Sequence, residues 1–332
     1  MNISEFAKIA GVSKSAVSRY FNDGYVSDEK RRLIESAIET TGYAPSVQAQ
    51  NVRTKVTKLV GVIIPKLSSE SCAREVEGIS QVLSEQGYQL LLVNSANDPK
   101  KEVEYLELFR NNRVDGVIFL ASIFTPLHDA VLKKMRVPVV IVGQEYSGFN
   151  CVCHDDYKAA YALTEMMIKK GICRPAFIGV TEEDKAAGLA RKNGFLNALS
   201  DNDIAVNKRN MQTAEFKMDS GYEKAEMLLK NDELPDYIFC ATDSIAAGAM
   251  LCCREHGLKI PEDIMIAGMG DSQLCKVTST TLTSVHFHYK TAGMEAADML
   301  LNSLKRSSSV PRTLTLDCEI IERDSTIKTA EI

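Results

Sequence analysis

The chain has 332 residues, 45% of them hydrophobic and 25% charged, with a formal net charge of −5. That length exceeds what one core usually holds, so two or three globular units are expected, and the apolar content excludes disorder over any long span. No run approaches the roughly 18 apolar residues of a membrane span, and "MNISEFAKIAG" lacks the basic start, apolar stretch and cleavage site of a secretory signal; a cytoplasmic protein without membrane contact is expected.

The charge is uneven. Through Lys58 there are nine Lys/Arg against six Asp/Glu, a net of +3, so the remainder carries −8. A basic end on an acidic body suits a nucleic-acid-binding module attached to a larger domain, although a solvated surface would show the same balance. Nine cysteines, an odd number, fit reduced and mostly buried thiols. "CVCH" at 151–154 holds three zinc-ligand types but lacks a second pair at finger-like spacing, and strand alternation points Cys151 and Cys153 to one face as core residues. No metal and no cofactor are expected.

Asn2 and Glu5 have capping-box spacing and open a helix with Ile3, Phe6, Ala7 and Ala10 on one stripe. Gly11 ends it. Ser13 can cap a second helix with Ala16, Val17 and Tyr20 inward and Lys14, Ser15, Ser18 and Arg19 on the polar side. The turn Asn22-Asp23-Gly24 follows, and Ser27 can cap a third helix from Asp28 to Thr41, with Leu33, Ile34, Ala37 and Ile38 inward. Gly42 stops that helix and Pro45 forbids its continuation. Three short helices with glycine in the first turn match a helix-turn-helix, whose second helix enters the DNA major groove; a helical cap on a larger domain has the same periodicity.

From Leu59 the pattern changes. Apolar runs at "KLVGVIIP", "YQLLLVNS", "VDGVIFLA", "VPVVIVG", "RPAFIGV", "DYIFCAT" and "DIMIAGMG" read as buried parallel strands. Helix-length segments separate most of them: 76–86, 101–111, 158–170, 190–199, 221–230 and 245–256. Such alternation predicts parallel sheets in two similar lobes dividing near Gly143–Tyr161, with a ligand cleft at the strands' carboxyl ends.

The segment "NISEFAKIAGVSKSAVSRYFNDGYVSDEKRRLIESAIETTGYAPSVQAQNVRT" resembles the DNA-binding headpiece of the lactose/purine repressor family, through "IAGVS", "VSRYFN", "YVS" and "GY.P" in that order. The resemblance implies that Lys14 and Ser15 read bases at the start of the recognition helix and Arg19 further along. It implies phosphate contacts for Ser13 and Ser18 and a backbone role for Asn22. Residues 46–58 would form a hinge that folds on the operator, with Val52 in place of the Leu that wedges into the minor groove. A plain polar linker is the other reading.

"LVGVIIP", "EYLELFRNNRVDGVIFL", "RKNGF" and "PEDIMIAGMGD" resemble the effector-binding core of that family, itself similar to periplasmic sugar-binding proteins. The expected fold is an N-terminal all-α helix-turn-helix headpiece (1–45) and hinge (46–58), then a two-lobed α/β core with parallel sheets (59–332). In such a core the chain crosses between lobes three times, which would return Thr283–His288 and the segment after Pro311 to the first lobe. Arg191 matches the arginine that clamps effector hydroxyls or a carboxylate, and is otherwise an interlobe ion pair. Thr242 and Asp271 sit where relatives contact effectors; Asp243 lines the site or caps the next helix. Gln144 is a nearby donor. Phe216 and Phe287 either flank the ligand or are core. Lys66, Ser68 and Ser69, after the first strand, suit a saccharide or its phosphate, or are a solvated loop. Gly270 and Gly143 replace acids of some relatives, so the lactose-type contacts do not transfer directly.

"SRYFN", "GVIIPKLSSE" and "IVGQ" place the resemblance nearest the sucrose- and fructose-responsive branch. The expected protein is a dimeric repressor of a carbohydrate-utilisation operon whose operator affinity changes when a sugar or sugar phosphate binds. "CEIIERDSTIKTAEI" shows no leucine repeat of the kind that makes tetramers. The competing readings are a sugar receptor without DNA function and a purine-type, corepressor-dependent regulator. An enzyme is not expected: no GxGxxG or P-loop follows the first strand, no Ser-His-Asp or carboxylate-pair motif is present, and His286 and His288 share a strand face that packs or lines the cleft.

Overall fold

The structure is a computed structural model and describes residues 1–22, 24–43, 56–305 and 310–328. Asp23, Pro45 and the hinge residue Val52 lie outside the described residues. The chain separates into two compact units, Met1–Thr57 and Lys58–Ile332.

In the first unit, α1 (Ile3–Ile9) opens on the expected capping box: Asn2 Oδ1 accepts from the Glu5 amide at 3.0 Å, and Glu5 Oε2 accepts from the Asn2 amide at 2.8 Å. Gly11 turns the chain at φ +64°, a conformation that glycine reaches without strain. Ser13 then caps α2 (Lys14–Tyr20), its Oγ accepting from the Ala16 amide at 3.2 Å. The third helix, α3 (Asp28–Thr41), has the expected bounds and stops at Gly42, φ +62°, but the Ser27 side chain makes no capping bond. Phe6, Ala7, Ala10, Val17, Val26, Ile34 and Ala37 form its core. Leu33, expected inward, is 45% exposed, because Ile34 and Ala37 already fill the face of α3 turned to the other two helices.

The second unit holds two six-stranded sheets. The first contains β1 (Leu59–Ile64), β2 (Gln89–Asn94), β3 (Gly116–Leu120), β4 (Val139–Val142), β5 (Asn150–His154) and β11 (Thr313–Leu316), all parallel, in the order β11-β5-β4-β3-β1-β2. The second contains β6 (Pro175–Gly179), β7 (Met211–Thr213), β8 (Tyr237–Cys240), β9 (Met265–Met269), β10 (Thr283–Phe287) and β12 (Cys318–Ile321), in the order β12-β10-β9-β8-β6-β7. Only β12 in this sheet runs antiparallel to its neighbour. Helices cover both faces of each sheet, as continuous apolar strands require. On the first sheet these are α4 (Glu70–Glu85) and α12 (Tyr289–Lys305) on one face, α5 (Pro99–Asn111) and α6 (Pro126–Leu132) on the other. On the second they are α7 (Asp156–Lys169) with α8 (Arg191–Ser200), and α9 (Met218–Leu229) with α10 (Asp243–Glu255) and the short α11 (Leu274–Val277).

The chain crosses between lobes after β5, after β10 and between β11 and β12. The expectation that Thr283–His288 lies in the first lobe is corrected: β10 pairs with β9, Val285 opposite Met269, so the return begins one element later with α12. After Pro311, β11 joins the first sheet, but β12 goes back to the second.

Helices α4 and α12 touch backbone to backbone. A Cβ on Gly78 would collide with the Lys290 carbonyl oxygen, and one on Gly293 with the Glu75 carbonyl oxygen. This contact fixes the start of α4 against the cleft.

All nine cysteines are free thiols; Cys173 is exposed and Cys318 half-buried, the other seven buried. A thiol-disulfide reagent is therefore expected to titrate Cys173 fast in the native protein, with the seven buried thiols reacting only on unfolding. Three or more fast thiols would contradict this packing.

Candidate DNA-reading helix and effector cleft

The polar side of α2 is open to solvent. Ser13, Lys14, Ser15, Arg19 and Asn22 are exposed and Ser18 is half-buried. The Ser13 and Ser15 hydroxyls hydrogen-bond each other at 3.0 Å, Arg19 Nε donates to the Ser15 carbonyl at 3.3 Å, and Asn22 Nδ2 donates to the Ser18 carbonyl at 2.6 Å. The opposite side of the helix buries Ala16 and Val17. One face thus anchors the helix while the other presents a cation, a guanidinium and hydroxyls, the groups that meet phosphates and base edges.

In the second unit, loops at the carboxyl ends of β1, β3, β4, β5, β6, β8 and β9 enclose a cavity of about 440 Å³ between the lobes. This is the position expected for a ligand in open α/β sheets. Of the residues expected there, Lys66, Ser68, Ser69, Gln144, Arg191, Phe216 and Thr242 line it. Four contacts cross between lobes at its edge. Lys66 Nζ donates to the Phe216 carbonyl at 2.9 Å, and Gln144 Nε2 to Asp184 Oδ1 at 3.3 Å. Arg74 Nη2 donates to the Asp271 carbonyl at 3.0 Å, and the Gln273 amide to Glu70 Oε2 at 2.9 Å. Each would break if the lobes moved apart.

Arg191 is only 7% exposed. Its Nε donates to Asp156 Oδ1 at 2.7 Å, its Nη1 donates to the Ala241 carbonyl, and its guanidinium lies 5.0 Å from the Phe287 ring centroid. Burial works against this charge, yet the Asp156 carboxylate holds the Arg191 pKa above the ordinary arginine value. The ion pair joins α7 to α8 within the second lobe, so the alternative of an interlobe bridge is corrected. Thr242, rather than Asp243, caps α10, accepting from the Ile245 amide at 3.3 Å. Asp243 instead accepts from Ser284 Oγ at 2.5 Å and from the Ser272 amide at 2.7 Å.

Two expected residues do not line the cavity. Asp271 turns to Arg323 Nη2 at 2.6 Å and His286 Nδ1 at 2.9 Å. Burial opposes its charge, but these partners hold its carboxyl below the ordinary aspartate range. Its side chain is therefore spent on the second lobe's own packing. Phe287 is 1% exposed and belongs to the second lobe's core, supporting Arg191 from beneath.

The cavity also contains residues that sequence reasoning missed. Glu75 is 7% exposed, and burial pushes its carboxyl up to about 8. Asp184 is pushed up to about 6 by burial, although the Ala187 and Ala186 amides donate to it. Burial pushes the His154 imidazole down to about 4, so it is neutral at pH 7. Tyr289 lies 5.3 Å from the His154 ring, edge-on. A signal existed for Glu75, which falls on the buried α4 stripe with Cys72, Ile79, Val82 and Leu83. His154 ends the strand in which Cys151 and Cys153 are core, where strand-end logic places a ligand-facing group.

A three-helix DNA-reading unit ahead of a two-lobed core with a polar interlobe cavity defines a ligand-controlled, DNA-binding regulator. Residues 2–46 match the family model of bacterial regulatory proteins of the lacI family, and residues 57–324 match that of periplasmic binding proteins and the sugar-binding domain of the LacI family. The sucrose operon repressor of Staphylococcus xylosus is 32% identical over 318 residues, spanning 96% of this chain and 98% of that protein. The HTH-type transcriptional repressor PurR of Vibrio atlanticus (strain LGP32) is 28% identical over 331 residues, 98% of each. Among solved structures, a complex of the transcriptional regulator CelR with cellobiose superposes with a TM-score of 0.75 at 25% identity, covering 98% of this chain and 99% of that one. The chain belongs to the LacI family of transcriptional regulators, with an N-terminal DNA-binding domain and an effector-binding core. It resembles regulators, not enzymes, along its whole length. Among the described residues no helix is long and apolar enough to cross a membrane.

Proposed function

We propose that the protein is a cytoplasmic repressor of a carbohydrate-utilisation operon that binds a palindromic operator as a homodimer and responds to a saccharide held between its lobes. The observation that carries the reading is the interlobe cavity, whose wall mixes hydroxyls, amides and carboxyls with the rings of His154, Phe216 and Tyr289. Such a wall suits a polyhydroxylated ligand. The four contacts that cross the cleft make the lobe angle sensitive to what fills it, and a change of angle is the means by which a ligand can shift DNA affinity. The relation to a sucrose operon repressor points the same way.

A second copy has a surface to cover. Strand β2 is the edge of its sheet, yet it reads Gln89-Leu90-Leu91-Leu92-Val93-Asn94, with Leu91 45% and Leu92 36% exposed. An apolar edge strand left open invites self-association. Within this reading, residues 1–45 bind DNA and 46–58 form the hinge, with Val52 as its wedge. Residues 59–332 bind effector and dimerise. Ser13 and Ser18 hold phosphates, Asn22 acts beside the backbone, and Lys14, Ser15 and Arg19 read bases.

The test is direct. Duplexes selected from a random pool by the full-length protein are titrated with wild type and Arg19→Ala by fluorescence anisotropy. Loss of one base-reading guanidinium should weaken the selected site by roughly 10- to 100-fold and relax its sequence preference. Sucrose, fructose, their phosphates and purine bases are then screened for a rise in melting temperature and for an effect on operator affinity. Unchanged DNA binding by Arg19→Ala sinks the reading helix. A shift with purines and none with saccharides sinks the carbohydrate assignment.

A further inference from the structure

We infer that the cleft selects an uncharged, polyhydroxylated ligand over a phosphorylated or carboxylated one, and that Glu75, a buried carboxyl in its wall, is the residue that determines this choice by meeting a ligand hydroxyl. The inference rests on the saccharide reading above and narrows it from sugar or sugar phosphate to sugar.

Glu75 is the starting point because it is buried, faces the cavity, and has no hydrogen-bond or charge partner among the described residues. The cations nearby are all committed. Lys66 is bound to the Phe216 carbonyl, Arg74 to Glu70 and the Asp271 carbonyl, and Arg191 to Asp156 and the Ala241 carbonyl. Five carboxyls (Glu70, Glu75, Asp156, Asp184 and Asp243) stand against these three cations around the cavity. With Glu75 protonated, four carboxylates still stand against three cations that already have acceptors, so an anion entering this desolvated space meets a net negative wall.

The free polar groups point to the opposite ligand. His154 Nε2 is buried with no hydrogen-bond partner, and the imidazole is neutral at pH 7 because burial disfavours its charge. Glu75 acts on Tyr289 from α12 and on Cys72 of its own helix, while Asp156, Arg191, Asp184 and Asp243 of the second lobe line the same cavity. With a carboxyl that ionises at about 8 by burial alone, it is protonated over most of the physiological range. A neutral carboxyl both donates and accepts, as a sugar hydroxyl does, so the two pair without leaving either unsatisfied. The backbone contact between α4 and α12 at Gly78 and Gly293 fixes the Glu75 main chain, so this group is built into the wall.

Isothermal titration calorimetry on the full-length protein tests this with sucrose, fructose and fructose 6-phosphate as probes, on wild type, Glu75→Leu and Glu75→Gln. Wild type should bind a neutral sugar at least about tenfold more tightly than fructose 6-phosphate. That affinity should fall between pH 7.5, where Asp184 is already ionised, and pH 9, as Glu75 ionises. Glu75→Leu should lose about tenfold or more on the neutral sugar while melting no lower than wild type at pH 8. Glu75→Gln should restore binding lost in Leu and remove the fall at pH 9. Tighter binding of fructose 6-phosphate than of fructose overturns the inference and leaves the saccharide reading standing. Wild-type affinity in Glu75→Leu overturns the role of Glu75. No binding of any of the three sugars overturns both the inference and the saccharide reading.

Discussion

Replacing Asp156 by Ala is expected to cost about 3–5 kcal/mol of stability, because it leaves the buried Arg191 guanidinium without its counter-ion. Asp156 is 6% and Arg191 7% exposed, and beside their bond of 2.7 Å the guanidinium meets the Ala241 carbonyl and the Phe287 ring, with the Asp184 carboxylate acting on it without a direct bond. A carbonyl and an aromatic face cannot neutralise a full charge in that environment; a cation–π contact supplies about 2 kcal/mol when desolvated. For a core of this size the loss corresponds to a fall in melting temperature of roughly 5–15 °C. The double replacement Asp156→Leu with Arg191→Leu should cost less than Asp156→Ala alone, since it removes the charge along with its partner. It should also abolish the calorimetric response to sugar, because Arg191 lines the cavity. Differential scanning calorimetry of the three proteins decides it. A single variant within 1 kcal/mol of wild type would show that Arg191 finds other compensation.

The same ion pair shows where sequence reading reached its limit. Arg191 was identifiable from the segment it sits in, but its partner is 35 residues earlier, at the first turn of a helix entered by crossing between lobes. Nothing in the local pattern links them. Helix and strand periodicity did place β1, β2, β3, β4, β6, β8 and β9 and the helices α4, α5, α7, α8, α9 and α10, because each is a continuous apolar run or a regular stripe, whereas α6 has only seven residues and no such stripe. Strand β7 has only three residues, and β11 and β12 alternate around half-buried positions, so none of them presents such a run. Helix α12 has a regular Ala292, Ala296 and Leu300 stripe, but it starts at Tyr289, two residues after strand β10 ends, with no glycine or proline to mark the boundary.

In the cleft, residues recognised by family position divided according to competing partners. Thr242 and Gln144 reach the cavity, whereas Asp271 is taken up by Arg323, which lies 52 residues later. Glu75 belongs to no motif and is marked only by being a carboxyl on an apolar stripe. A charged residue on a buried stripe is the pattern to examine first when a cavity is suspected.

Phe6→Ala should weaken DNA binding, although Phe6 belongs to the headpiece core and not to the DNA-reading face of α2. Its ring is fully buried, stacks on Tyr43 with centroids 4.2 Å apart, and lies 6.3 Å from Phe21. The other core members of this unit are small or single aliphatic side chains. Truncating a buried Phe costs about 3–5 kcal/mol, and so small a unit has roughly that much stability in total. The unit Met1–Thr57 should therefore be about half unfolded or more, and because an operator-bound dimer needs both headpieces folded, the apparent operator affinity should fall by the square of the folded fraction, about fourfold or more. The unit Lys58–Ile332 does not share this core, so its melting transition and its sugar binding should be unchanged. Arg19→Ala supplies the contrast, weakening the operator while the headpiece keeps its helical signal. High DNA concentration should partly rescue Phe6→Ala, because DNA binds only the folded headpiece, whereas it cannot restore the sequence preference lost with Arg19. If Phe6→Ala retained wild-type operator affinity, α2 could not be the element that holds the DNA, because its position depends on the core that Phe6 fills.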